Sequence, residues 1–110
     1  MSTATPEVDV EVEADWALKY QPPYHVILLN DDDHTHEYVV EMLQSVFGYP
    51  VEMGFQLADQ VDKSGRVIVF TAHKEHAELK KEFIDAFGVD PRVEDCSGSM
   101  ASVLEPAEGE

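Results

Sequence analysis

Two short apolar runs stand out in the hydrophobic pattern of the chain. Residues 24–29 read YHVILL and residues 66–72 read RVIVFTA, and both are rich in β-branched and aliphatic side chains. Runs of this length and composition predict buried strands, since they are too short for helices. The first run is apolar almost throughout, which predicts a central strand. A third run, ASVLE at 101–105, predicts a last short strand.

Three other segments place apolar residues at helical spacing. The three stripes consist of Val39, Met42, Leu43, Val46 and Phe47; of Val51, Phe55, Ala58 and Val61; and of Ala77, Phe83, Ile84 and Phe87. Gly48 and Gly88 follow the first and third stripes, where a left-handed residue often ends a helix. Pro50 suits the first turn of the second helix, and Lys63-Ser64-Gly65 ends it.

The predicted order of elements is therefore β-α-α-β-α-β. This order predicts an α+β sandwich in which helices cover a three-stranded antiparallel sheet. A chain of 110 residues suits one domain of this kind, which we place at residues 24–107. Residues 1–23 carry valines that alternate with acidic residues, and they predict a flexible acidic tail, with an edge strand as the alternative. Pro22 and Pro23 mark the junction.

Charge limits the possible partners. The chain has 23 acidic and 7 basic residues, a net charge of −16, which disfavours nucleic acid and anionic membrane surfaces and favours cationic ligands or basic partners. The strong like charge also predicts a monomer. The single cysteine, Cys96, cannot form an intramolecular disulfide, and the first residues lack the pattern of a secretory signal. No run is long and apolar enough for a membrane span, so a cytoplasmic protein is expected.

The first strand is followed by an unusual polar run, NDDDHT at residues 30–35, and then at once by a helix. Asp32, Asp33 and Thr35 each suit the N-cap of that helix, and capping alone accounts for at least one of them. A functional site is the second interpretation, because one cap requires neither Asn30 nor three adjacent carboxylates.

Metal binding is a further interpretation of this run, since Asp31, Asp32, His34 and His36 are all ligand types. Their spacing fits no zinc framework, and we expect no cofactor and no metal. Cys96 lies in a loop-like run, and no Gly-x-Ser-x-Gly motif is present. We therefore expect that the protein is not an enzyme.

Several motifs resemble one family. They are VILLNDD, the helix with Glu-Tyr-Val-Val, then Phe-Gly-Tyr, Gln-Leu, Val-Asp-Lys-Ser-Gly-Arg-Val and Ala-Glu-Leu-Lys. This pattern is similar to that of the ClpS adaptor family, without gaps over residues 24–80 and more loosely over residues 102–107. The resemblance implies the α+β fold above, which is shared with the ribosomal L7/L12 C-terminal domain. It also implies binding of substrates with a bulky hydrophobic N-terminal residue, the N-degron, and their delivery to a Clp AAA+ unfoldase.

The resemblance also assigns a substrate-binding site. Asn30 and Asp32 match the family residues that hydrogen-bond the α-ammonium and first peptide group, and Asp31 lies between them. A free ammonium beside a large apolar side chain requires such acceptors next to an apolar cavity. The matching cavity residues, for which ordinary core packing is the other interpretation, are Val39, Met42, Val61 and Leu104.

Four positions depart from the family pattern. Asp62 replaces a histidine that accepts a hydrogen bond from the ammonium, and it would repel Asp32 in the empty site. His34 and His36 replace a threonine and a gatekeeper methionine, and Ala58 replaces a methionine of the pocket floor. These departures predict a shifted or relaxed specificity, towards larger or more polar N-terminal residues.

Glu75 and Lys80 match family positions that contact the N-terminal domain of the unfoldase, although charged residues on a helix are often merely solvated. The acidic tail matches the family's N-terminal extension in placement, and that extension is needed for delivery. One alternative function is a protein that docks on the unfoldase and inhibits or redirects it without binding N-degrons. A small metal-dependent protein is the third hypothesis.

Overall fold

The structure, a computed structural model, describes residues 21–107, and it contains the six predicted elements in the predicted order. They are β1 (Tyr24–Leu29), α1 (His36–Phe47), α2 (Val51–Ser64), β2 (Arg66–Ala72), α3 (Lys74–Asp85) and β3 (Ser102–Pro106). The α+β prediction is confirmed. Most of the predicted acidic tail lies outside the described residues. No described helix is long and apolar enough to cross a bilayer.

The three strands form one antiparallel sheet with the order β2-β1-β3. The strand β1, which is apolar almost throughout, is central, as its pattern predicts. Its middle residues Val26, Ile27 and Leu28 are fully buried. Its pairing with β2 is irregular between Val26 and Ile27. β1 ends at Leu29, so the polar run leaves the middle of the sheet.

The core lies between the sheet and the helices. α1 contributes most to it, with Tyr38, Val39, Met42 and Leu43 at most 2% exposed. α2 approaches α1 closely at Gly54, where a Cβ atom would lie 3.1 Å from the Cα of Val40. A side chain at Gly54 would therefore push the two helices apart.

The predicted stripes of α2 and α3 are wrong in part. Val51, Phe55 and Phe83 are 47%, 42% and 49% exposed. The buried face of α2 is Gly54, Ala58 and Val61, and at Gly54 α1 packs too closely for a side chain to fit. α3 ends at Asp85, before Phe87 and Gly88, and β3 excludes Ala101 and includes Pro106. These ends are set by contacts with the rest of the fold, which local patterns do not contain.

Candidate functional site

The residues 30–35, which we name the polar segment, connect β1 to α1. Its first residue is held by the sheet: the backbone N–H of Asn30 donates to the Gly65 carbonyl at 2.9 Å, and that of Leu29 donates to Ala101 at 3.1 Å. The side chains of Asn30 and Asp32 are exposed. The backbone of the segment is thus fixed at its start, while two polar side chains remain open to solvent.

His34 and Asp31 fix the middle of the polar segment. Nδ1 of His34 lies 2.9 and 3.0 Å from the two carboxylate oxygens of Asp31, and Nε2 lies 2.7 Å from the carbonyl oxygen of Gly98. Asp31 also accepts from the backbone N–H of Asp33 at 3.0 Å. The His34 side chain is only 2% exposed, so it faces the protein rather than an open site. The structure therefore places His34 in the anchor of the segment.

Thr35 ends the polar segment and caps α1. Its Oγ1 accepts from the backbone N–H of Tyr38 at 3.1 Å, so Thr35 is the cap among the three candidates considered. Both the N–H and the hydroxyl of Thr35 donate to Oδ2 of Asp90 at 2.8 Å. The helix start is tied to a carboxylate that is 55 residues away in sequence.

Asp90 belongs to the loop between α3 and β3, residues 86–101, which we name the C-terminal loop. Its side chain is fully buried, and its Oδ1 accepts from the backbone and side chain of Arg92 at 3.0 and 3.1 Å. Burial alone would raise the pKa of Asp90, but the hydrogen bonds from Thr35 and Arg92 outweigh it and lower the pKa to about 2. Arg92 also pairs with Glu41 of α1. Asp90 is thus an ionised, fully satisfied anchor.

Two further residues attach the C-terminal loop to α1. The hydroxyl of Tyr38 donates to the Gly88 carbonyl at 2.6 Å, and the Tyr38 ring lies 4.4 Å from the His34 ring, centroid to centroid. Burial raises the pKa of Tyr38, so its hydroxyl remains a donor. Cys96 Sγ accepts from the backbone N–H of Asp90 at 3.3 Å and lies 3.5 Å from Nε2 of His34. The thiol fills the space between the loop and the segment.

The remaining predicted site residues fall into two groups. Val39, Met42, Ala58 and Val61 are at most 2% exposed and belong to the core, and Leu104 of β3 is partly buried and packs against this core. His36 and Asp62 lie on the surface of α1 and α2, with Nε2 and Oδ2 separated by 3.9 Å and side chains 44% and 60% exposed. The structure thus brings together two of the four positions that depart from the family pattern.

The two predicted docking residues lie on α3. Glu75 is exposed. Lys80 is partly buried, and its ammonium donates to the Val46 carbonyl at 2.9 Å. The same nitrogen lies 5.6 Å from the centre of the Phe47 ring and 5.8 Å from that of Phe83. Lys80 therefore also stabilises the C-terminal end of α1, where a cation is favourable.

Among residues 21–107, no three His, Cys, Asp or Glu side chains are arranged to hold a metal ion. The anchoring role of Asp90, Tyr38, Cys96 and Gly98 was missed by the sequence analysis. The Asp-Pro pair at residue 90 did carry a signal, because Asp before Pro favours a turn, but a turn signal does not reveal a buried anchor.

The site thus presents open polar acceptors on a backbone that is fixed by hydrogen bonds, beside the apolar core and with no metal cluster among the described residues. Such an arrangement is suited to holding a ligand with hydrogen-bond donors. The fold and the site define a small α+β binding domain.

Comparison with known proteins places this domain in a family. The family model described as ATP-dependent Clp protease adaptor protein ClpS matches residues 19–89. The ATP-dependent Clp protease adapter protein ClpS of Salmonella arizonae is 41% identical over 85 residues, which cover 74% of this chain and 78% of that protein. The protein of the same name from Cronobacter sakazakii is 42% identical over 73 residues, which cover 64% of this chain and 67% of that protein. The chain belongs to the ClpS family of Clp protease adaptors.

A solved structure supports the fold. The structure of Agrobacterium tumefaciens ClpS2 bound to L-phenylalaninamide matches with a TM-score of 0.68, covering 79% of this chain and 99% of that one. The two sequences are 24% identical, so the likeness concerns the fold. The resemblance stated from the sequence is confirmed, and the family is described as one of adaptors of the ATP-dependent Clp protease.

Proposed function

We propose that this adaptor binds proteins with a bulky hydrophobic N-terminal residue and a free α-amino group, and delivers them to a Clp AAA+ unfoldase. The observation that carries the proposal is the polar segment, in which Asn30 and Asp32 are exposed while the backbone around them is fixed by Gly65 and Asp90. Acceptors held rigidly lose little entropy when they bind an ammonium group.

The ligand of the structural relative fits this chemistry. L-Phenylalaninamide, which is bound to Agrobacterium tumefaciens ClpS2, carries an α-ammonium next to an aromatic side chain. In our proposal, Asp32 and Asn30 accept from the ammonium and the first peptide group, and the first side chain enters between α1 and α2, near Val39, Met42 and Val61. Ala58 leaves more room there than a larger residue would.

His36 and Asp62 form the rim of the proposed pocket. Nε2 and Oδ2 of the two side chains lie 3.9 Å apart across the two helices. In our proposal, the first side chain of the substrate enters beside this polar pair. This pair supports the prediction of a shifted specificity, towards larger or more polar N-terminal residues. His34, being buried, acts in this proposal by positioning the segment through Asp31 and Gly98.

Peptide titration tests the proposal. Labelled peptides that differ only in their first residue, each with a free and an acetylated amino group, are titrated with the protein and followed by fluorescence anisotropy. We expect selective binding that requires the free amino group, and Asp32→Asn should weaken it by about 10- to 100-fold, as loss of a charge-assisted hydrogen bond does. Glu82→Gln, an exposed carboxylate on α3, is the matched control and should change nothing.

A second function is favoured by one observation: His36 and Asp62, 3.9 Å apart, form a polar pair across α1 and α2 where our first proposal places the first side chain. In this alternative the protein docks on the unfoldase through α3, including Glu75 and Lys80, and inhibits or redirects it without binding N-degrons. It predicts no selective peptide binding together with intact binding to the unfoldase N-terminal domain. Our first proposal instead predicts selective peptide binding as well as binding to the unfoldase N-terminal domain. It also predicts that removing residues 1–20 abolishes delivery without affecting peptide binding.

A further inference from the structure

A groove of about 400 Å³ lies where the described chain begins. Its lining consists of Gln21, His73, Lys74, Glu75 and His76. All five residues are exposed, and four of them carry N–H groups that can donate hydrogen bonds. In a chain with a net charge of −16, a surface with three adjacent basic side chains and one acid is an exception.

Lys74 differs from the other described lysine and arginine residues. Among residues 21–107, each of the others donates to an oxygen: Lys63, Arg66, Lys81 and Arg92 to carboxylates, and Lys80 to a carbonyl. Lys74 has no ion pair with a residue in this range, and its ammonium lies 5.8 Å from the centre of the Tyr24 ring. The groove therefore offers an ammonium and two imidazoles to a partner that supplies acceptors.

The chain itself supplies such a partner. Residues 7–15 read EVDVEVEAD and carry five carboxylates, which can only accept. Gln21 lines the groove and lies six positions after Asp15, a span of about 20 Å when fully extended. A segment tethered this closely is present at an effective concentration in the millimolar range, so even weak contacts populate a docked state.

We propose that residues 7–15 dock into this groove, with their carboxylates accepting hydrogen bonds from Lys74, His73 and His76. Glu75 opposes the contact, which makes it weak and reversible. The docked segment covers Glu75. If α3 is the unfoldase-docking surface, as the proposed function states, the segment and the unfoldase compete for it, and docking of the adaptor releases the segment.

The intramolecular contact is tested on the full chain without any unfoldase, so its failure is distinguishable from failure of the proposed function. Amide resonances of the wild type are compared by NMR with those of a variant in which Glu7, Asp9, Glu11, Glu13 and Asp15 are changed to the corresponding amides. We expect the resonances of residues 73–76 to shift, although these residues lie more than 50 positions away. Shifts confined to residues 1–24 would overturn the proposal.

The reciprocal variant is Lys74→Glu, with Lys63→Glu as a control of equal charge change on α2. Because an exposed charge pair alters a population ratio by a modest factor, Lys74→Glu should lower the ratio of docked to free segment by about threefold or more. The ratio is read from the resonances of Val8, Val10 and Val12, which Lys63→Glu should leave in place. Equal effects of the two variants, or shifts that grow with protein concentration and so report a second copy, would also overturn the proposal.

Discussion

The helices α1 and α3 begin in contrasting ways. At α1, the side chain of Thr35 caps the helix and the buried Asp90 accepts from Thr35, so the start is saturated with internal hydrogen bonds. At α3, His73 precedes the helix without a side-chain cap bond, and its neighbours face an open groove. The contrast teaches that internal hydrogen bonds fix the start of α1, whereas the donors at the start of α3 remain available to a partner such as the one we propose.

Removing the Asp90 carboxylate should destabilise the start of α1 more than any other single change proposed below. Asp90→Ala leaves the N–H and hydroxyl of Thr35 and the Arg92 guanidinium without their acceptor, and we expect a loss of about 3 kcal/mol in the free energy of unfolding. Urea denaturation measures it. Glu94→Ala, an exposed residue of the same loop, is the control and should cost less than about 0.5 kcal/mol. Equal midpoints for the two variants would contradict the anchor.

Acid should weaken the same anchor. The pKa of Asp90 is lowered to about 2 from its ordinary value of 3.8, so its ionised form contributes stability above the ordinary pKa. That contribution is lost as the pH falls through the folded-state value. The difference in urea midpoint between wild type and Asp90→Asn should therefore be constant above about pH 5 and shrink towards pH 2. A difference that does not depend on pH in this range would count against the assignment.

His34 should have the next largest effect. His34→Ala removes the contacts with Asp31 and Gly98, and we expect a loss of about 1–2 kcal/mol in stability, together with weaker peptide binding as the polar segment loosens. Denaturation and peptide titration measure the two effects. Loss of peptide binding with unchanged stability would instead mean that His34 contacts the ligand directly.

The rim pair should have the smallest effect on stability. His36 and Asp62 are largely exposed and 3.9 Å apart, so His36→Ala should change the free energy of unfolding by less than about 0.5 kcal/mol. Its effect should appear in specificity, as a changed ranking of peptides with different first residues. An unchanged ranking would remove His36 from the rim of the proposed pocket.

The sequence predicted the order of elements, the central strand and the family, because these depend on local periodicity and on a continuous motif. YHVILL could be placed in the centre of the sheet because its middle residues, Val26, Ile27 and Leu28, all have large apolar side chains. The α2 stripe was wrong at Val51 and Phe55 and right at Ala58 and Val61. The closest contact with α1 is made at Gly54, and a hydrophobic pattern does not reveal a residue that matters because it has no side chain.

The candidate site was only partly predictable. The polar segment itself was visible in NDDDHT, and Thr35 was among the predicted caps. Its anchor was not visible, because Asp90 and Gly98 contact residues 55 to 64 positions earlier and lie in a loop without periodicity. For the same reason, His34 could be singled out as chemically unusual without any indication that it faces inward.

The position of β1 has a mechanical consequence. If the polar segment binds a substrate as we propose, a force transmitted along β1 is opposed by its hydrogen bonds to β2 on one side and to β3 on the other. Such a strand yields only when both ladders slide at once, rather than opening one bond at a time. Under that proposal, the binding site is attached to the one strand of the sheet that is hydrogen-bonded on both sides.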